Sequence, residues 1–140
     1  MADITQADAD ALIAEQKEIT GVLVWTARGV GYRLRDVVVL AESGTMLRLT
    51  GYVGRKNRSF ALLYRNTPIR RYTAHDQHKN PDGELISGPH EHLWDDIFED
   101  SIAYVPEDIR MGDPNDELID FLAECNMTIR SGYQRQNFFS

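Results

Sequence analysis

Turn residues recur so closely between Gly21 and His75 that no crossover helix fits between the apolar runs they separate. Those β-prone runs cover residues 21–26, 32–42, 45–53, 59–65 and 69–75, and their punctuation is Gly29 to Gly31, Ser43-Gly44, Gly54 to Asn57 and Asn66 to Pro68. Strands joined by links this short pair antiparallel. Alternation supports the assignment: Leu47, Leu49 and Val53 fall on one side of the pleat, and Met46, Arg48, Thr50 and Tyr52 on the other. Further strands are expected at 90–94 and 101–105.

Helices are expected at the two ends. Thr5 and Asp8 form a capping-box-like start, and Ala9, Leu12 and Ile13 carry helical spacing until Gly21 stops the run. Near the C-terminus Asp113 is a good N-cap, Pro114 suits the first helical position, and Leu118, Phe121, Leu122 and Cys125 trace one stripe ending near Asn126. The expected fold class is therefore α+β, an antiparallel β-meander sheet of about five to seven strands with an N-terminal and a C-terminal helix packed on it. Residues 1–140 are read as a single domain. The tail from Met127 ends in Phe138-Phe139, a pair able to dock on the body or on a partner.

No run approaches the roughly 18 apolar residues of a membrane span, and the segment 1–10 is acidic, so a cytoplasmic protein with no membrane partner is expected. Cys125 is the sole cysteine, which excludes a disulfide framework and a Cys-based zinc site and marks it as a buried structural thiol. The net charge of −7 argues against a generic polyanion binder, yet the charge is segregated. Arg33, Arg35, Arg48, Arg55, Lys56, Arg58, Arg65, Arg70 and Arg71 crowd the first half. From Asp82 to Glu124, Arg110 is the one cation among many acids. The fold could gather these into a basic and an acidic face or interleave them as solvated pairs.

The concentrated reactive chemistry is a window holding all four histidines, His75, His78, His90 and His92. On a strand His90 and His92 point to one side, about 7 Å apart at Cα. Pairing of 69–75 with 90–94 would bring His75 close to them. Three readings stay open. In the first, His75, His78, His90 and His92 hold a divalent metal such as zinc, manganese or nickel, with Asp76, Asp82 or Glu91 completing or orienting the site. In the second, His75, His90 and His92 act as acid and base on a phosphodiester, Arg71 stabilises the developing charge, and Lys79 and Arg70 bind the substrate. In the third, the histidines only hydrogen-bond a hairpin together. No cofactor other than such a metal is expected. Gly29-Val30-Gly31 lacks the third glycine and the helix of a nucleotide loop, and the acids from Asp95 to Asp100 lack calcium-loop spacing.

The segment from His78 through Asn80-Pro81-Asp82-Gly83, Ile86 and Gly88-Pro89-His90 to His92 resembles the H-x-N-P-D-G-x-x-I-x-G-P-H-x-H stretch of an uncharacterised family of small bacterial and prophage-encoded proteins. More distantly, the order of a basic strand, histidines and P-H-x-H is similar to TumE-type toxins of toxin–antitoxin pairs. This chain differs from them in the inserted Asn80 to Gly83 turn and in lacking adjacent paired histidines. These likenesses imply a protein of a mobile element or defence module that acts on RNA or a protein partner, in the leading case as a toxin-like ribonuclease. An inhibitor that presents its acidic surface to a partner is the non-catalytic alternative, and a metal-dependent hydrolase is the third. An oligomer is compatible with either.

Overall fold

The computed structural model describes residues 4–74, 77–95 and 99–139. Helix α1 (Gln6–Ala14) starts on the expected box: Asp8 N donates to Thr5 Oγ1 at 3.1 Å, and Thr5 N to Asp8 Oδ2 at 3.5 Å. It stops well before Gly21. The Lys17 amine caps the carbonyls of Leu12, Ile13 and Glu15, and Lys17–Ile19 then forms strand β1 with an in–out–in burial pattern. Ile19 is wholly buried between two neighbouring strands, a tertiary gain that local helical spacing does not register.

Strands β2 (Trp25–Arg28), β3 (Gly31–Leu34), β4 (Val37–Ala41), β5 (Met46–Val53), β6 (Arg58–Tyr64) and β7 (Thr67–Ala74) follow in short succession. The long strand expected over 32–42 is divided. Arg33 pairs with Tyr52 and Val37 with Leu49, so four steps on one side oppose three on the other, and the extra residue is absorbed as a bulge between β3 and β4. Between β6 and β7, Arg65 and Asn66 both take positive φ, 47° and 67°, which is the two-residue hairpin geometry matched to strand twist.

After β7 the chain forms a separate hairpin, β8 (Gln77–Lys79) with β9 (Leu85–Ser87), and re-enters the sheet as β10 (His90–Asp95) and β11 (Glu99–Tyr104). Helix α2 (Pro114–Glu124) begins on Asp113, whose carboxylate accepts Asn115 N at 2.9 Å, and Asn126 leaves it at φ 58°. The last strand, β12 (Met127–Ile129), runs parallel to β1. The ten-stranded sheet is ordered β11-β10-β7-β6-β5-β4-β1-β12, with β2 and β3 attached through β5. All its pairs but β1–β12 are antiparallel, so the two-helix α+β plan stands with more and shorter strands than expected.

One face of this sheet carries the core. Phe60 stacks on Tyr72 at 5.7 Å and meets Phe121 of α2 at 6.1 Å, while Leu118 and Leu122 fill the adjoining positions. Each such side chain contributes about 1.5–3 kcal/mol when fully buried. Gly51 is needed there, because a Cβ would lie 3.0 Å from the Trp25 ring and 3.2 Å from Leu34 Cβ. Glu117, buried in α2, binds Arg58 and the Tyr72 hydroxyl and so ties the helix to β6 and β7. The tail docks on the body: Phe138 packs edge-on against Trp25 and Tyr32, and Arg55 lies over the Phe139 ring.

Candidate metal centre

Strand alternation divides the residues of β10 between two environments. His90 and His92 point away from α2, and Glu91 between them points toward it. The register with β7 sets Thr73 directly opposite His90 and Arg71 directly opposite His92, on the same outer face. The 77–87 hairpin folds over this face and brings in His78.

Turn chemistry builds that hairpin. Asn80-Pro81-Asp82-Gly83 closes with Gly83 N donating to Asn80 O at 2.8 Å, and Gly83 takes φ 93° as the exit. Asp82 Oδ1 accepts Glu84 N, and Asn80 N reaches Glu84 O, so the backbone holds the turn without the Asn80 side chain. The Asn80 amide is thereby available elsewhere. It docks on β11, donating to Ala103 O at 2.9 Å and accepting Ala103 N at 2.8 Å, as a neighbouring strand would. His78 Nε2 binds Ser101 O on the same strand edge. Two side chains thus occupy backbone groups that β11 turns away from β10.

Three imidazoles converge as a result. Ring centroids are 4.5 Å apart for His78 and His92, 5.0 Å for His90 and His92, and 5.7 Å for His78 and His90. One nitrogen of each ring lies within 4.8 Å of its counterpart on the other two. His90 and His92 are each 2 % exposed, and His78 at the rim is half-buried. Backbone carbonyls orient two of the rings. Gly88 O accepts from His90 Nδ1 at 2.8 Å, and Ser101 O accepts from His78 Nε2. A carbonyl only accepts, so those nitrogens carry hydrogen and the neutral rings keep lone pairs on His90 Nε2 and His78 Nδ1. Metal-ligating histidines are typically held in this way.

The four-histidine cluster expected from sequence is therefore present in part as His78, His90 and His92; His75 and Asp76 lie outside the described residues. Arg71 is brought to the triad. Lys79 is exposed and follows His78 in β8, so it points away from the rings. Arg70 is not part of the centre. It lies across the sheet, with Nη1 2.6 Å from Glu124 Oε1 and 3.5 Å from Glu91 Oε2. Glu91, weighed as a metal partner, is fully buried on that far side and cannot reach the histidines. Asp82 serves the turn.

The far side is a second ionisable cluster that the sequence did not reveal. The Tyr104 hydroxyl sits 3.2 Å from Glu91 Oε2 and 3.1 Å from Glu124 Oε1, so two carboxyls share one guanidinium and one phenol. Burial, and then the neighbouring Glu124, pushes the Glu91 carboxyl up to about 9, with Arg70 offsetting part of the rise. Burial and the second carboxylate thus favour the protonated form at the Glu91 side of this carboxyl pair. Cys125 nearby is fully buried, and burial pushes its thiol up to about 12, as befits a structural residue. The parity of His90-Glu91-His92 signals that Glu91 faces the core; nothing in the linear sequence signals Glu124 as its neighbour.

Among the described residues, no helix is long and apolar enough to cross a membrane. No curated protein and no solved structure matches the chain. A family of unknown function, DUF6978, has a family model that matches residues 4–127 and so takes in both helices, the sheet up to the start of β12 and the histidine hairpin. The chain belongs to this family of unknown function.

Proposed function

We propose that this chain is a metal-binding protein whose His78, His90 and His92 hold one divalent transition ion of the zinc class. The observation that carries the reading is the convergence of three imidazoles from two separate elements, with one nitrogen of each ring within 4.8 Å of the others and two of the rings oriented by backbone carbonyls. Ligands of tetrahedral zinc lie about 3.4 Å apart when each bond is about 2.0–2.1 Å, so closure requires about 1 Å of movement. His78 can supply it, because it rides on the hairpin. Three imidazoles suit zinc, copper, iron or nickel better than calcium or magnesium, which prefer oxygen. The ion would pin the hairpin to the sheet and join the Asn80 anchor in doing so.

A second reading has one observation in its favour. Arg71 stands opposite His92, as a charge-stabilising cation should if His90 and His92 act as base and acid on RNA. Against it, both imidazoles are 2 % exposed, whereas acid–base work on a polymer backbone needs them within hydrogen-bond reach of the substrate.

Elemental analysis and thermal melting separate the two. The metal reading predicts one equivalent of ion per chain and a melting temperature that falls in chelator. With free ion at 100 times its dissociation constant the stabilisation is about 2.7 kcal/mol, or about 10 °C for a chain of this size. His90→Ala with His92→Ala should abolish both effects. RNA cleavage that persists in EDTA and is lost in that double variant would instead favour the second reading.

A further inference from the structure

We propose that the 77–87 hairpin is a removable cap on the edge of β11, and that with the cap lifted two copies of this chain join by antiparallel pairing of β11 with β11 about Ile102.

Strand β11 ends the sheet order, and its described strand pairings are all with β10. In an antiparallel ladder alternate residues turn both backbone groups away from the partner strand. The Asn80 side chain locates that outward set, because it takes Ala103 O at 2.9 Å and Ala103 N at 2.8 Å. Ser101, two residues earlier and so in phase, gives its carbonyl to His78 Nε2. An uncovered row of this kind is a template for another strand.

The cap is a separable part. Strands β8 and β9 pair with each other in a sheet of their own, and the described hydrogen bonds between the hairpin and β11 all run through the side chains of Asn80 and His78. A cavity of about 300 Å3, lined by Asn80, Pro81, Asp82 and Ile102, lies where the turn meets the strand, so the seat is not tightly packed. The bonds Gly83 N–Asn80 O and Asn80 N–Glu84 O are internal to the hairpin and stay when it lifts.

The geometry also selects the occupant. A carboxamide that donates and accepts at one residue stands in for a backbone amide, so what replaces it is a strand. The outward pair is self-complementary about a twofold axis: with Ile102 opposite the Ile102 of a second copy, Ala103 falls opposite Ser101 and Ser101 opposite Ala103. The two residues that the hairpin covers are then the two that exchange hydrogen bonds across the axis. The half-buried Ile102 side chains meet at its centre, an apolar cross-strand pair.

Sedimentation equilibrium of the full chain, with Asn80→Ala to free the cap, is the test. Both chains of a pair must open, so a cap that contributes about thirtyfold per chain holds the parent's dimer dissociation constant up to about a thousandfold above the variant's. The parent is expected to remain a monomer at concentrations where Asn80→Ala dimerises, and Asn80→Asp, which keeps the side-chain shape but sets a carboxylate against Ala103 O, should dimerise as well. The Ala103 amide should lose exchange protection in the dilute variant and regain it as the dimer forms. Ala103→Pro in the Asn80→Ala background removes the N–H that the second copy needs, and Ile102→Lys sets like charges opposite each other at the axis; each should restore the monomer. Ile102→Lys leaves the backbone donors in place, so it reads the axis even if the proline unsettles the strand. An Asn80→Ala chain that remains a monomer at concentrations where its Ala103 amide exchanges freely overturns the proposal. An Ala103 amide protected at every dilution, or a dimer that both second substitutions leave intact, overturns it as well.

Discussion

Replacing Asn80 by alanine isolates the anchor that carries His78 to the sheet. The side chain makes two hydrogen bonds, 2.9 Å to Ala103 O and 2.8 Å from Ala103 N, and both backbone groups lie in a buried setting. The turn itself should survive, because Gly83 N–Asn80 O and Asn80 N–Glu84 O are backbone bonds. Net loss is about 1 kcal/mol for each bond once water replaces the amide, so about 2 kcal/mol in favour of a lifted hairpin. Lifting removes His78 from the triad, and 2 kcal/mol corresponds to about a 30-fold weaker metal affinity. Competition with a chromophoric chelator measures the affinity, and amide exchange at Ala103 measures the lifting. Asn80→Asp provides a graded control: it can still accept from Ala103 N, but it sets a carboxylate against Ala103 O. Unchanged metal affinity together with a still-protected Ala103 amide would refute the claim that Asn80 positions His78.

Two further perturbations probe the sheet's other face. Glu91 has a folded-state value raised to about 9 against about 4.5 unfolded, so its contribution to stability is fully present below pH 4.5 and is lost as pH rises through 9. Urea melts across that window should show stability falling by at most about 1.4 kcal/mol per pH unit from this group, and Glu91→Gln should flatten the decline; an identical slope in the variant would contradict the assignment. Glu117→Ala strands the buried Arg58 cation and frees the Tyr72 hydroxyl, so a loss of about 3–5 kcal/mol is expected in denaturant unfolding, and a loss under 1 kcal/mol would show the link between α2 and β6 to be unimportant.

Local chemistry made much of this molecule legible in its sequence. The Thr5 and Asp113 caps, the two-sided pattern of β5 and the Asn80 to Gly83 turn each rest on neighbours within a few residues, and each is found where expected. What escaped depends on distant partners. Lys17–Ile19 became a strand because β4 and β12 flank it, and β12 reaches it only after the whole chain has been traversed. The candidate site divides in the same way. His90 and His92 shared a face by parity, and Arg71 followed from pairing β7 with β10. The metal reading grouped His78 with them, but no local pattern places it there, because the docking of the 77–87 hairpin is decided by Asn80 meeting the edge of β11. Arg70 was expected to bind substrate beside Arg71, but adjacent strand residues face opposite ways, and Arg70 lies against the buried carboxyls.

X-ray absorption at the zinc edge of the reconstituted chain tests the central claim most directly. The account predicts three imidazole nitrogens at about 2.0–2.1 Å, reduced to two in His78→Ala. A shell dominated by oxygen, or one that His78→Ala leaves unaltered, would contradict a metal held by His78, His90 and His92.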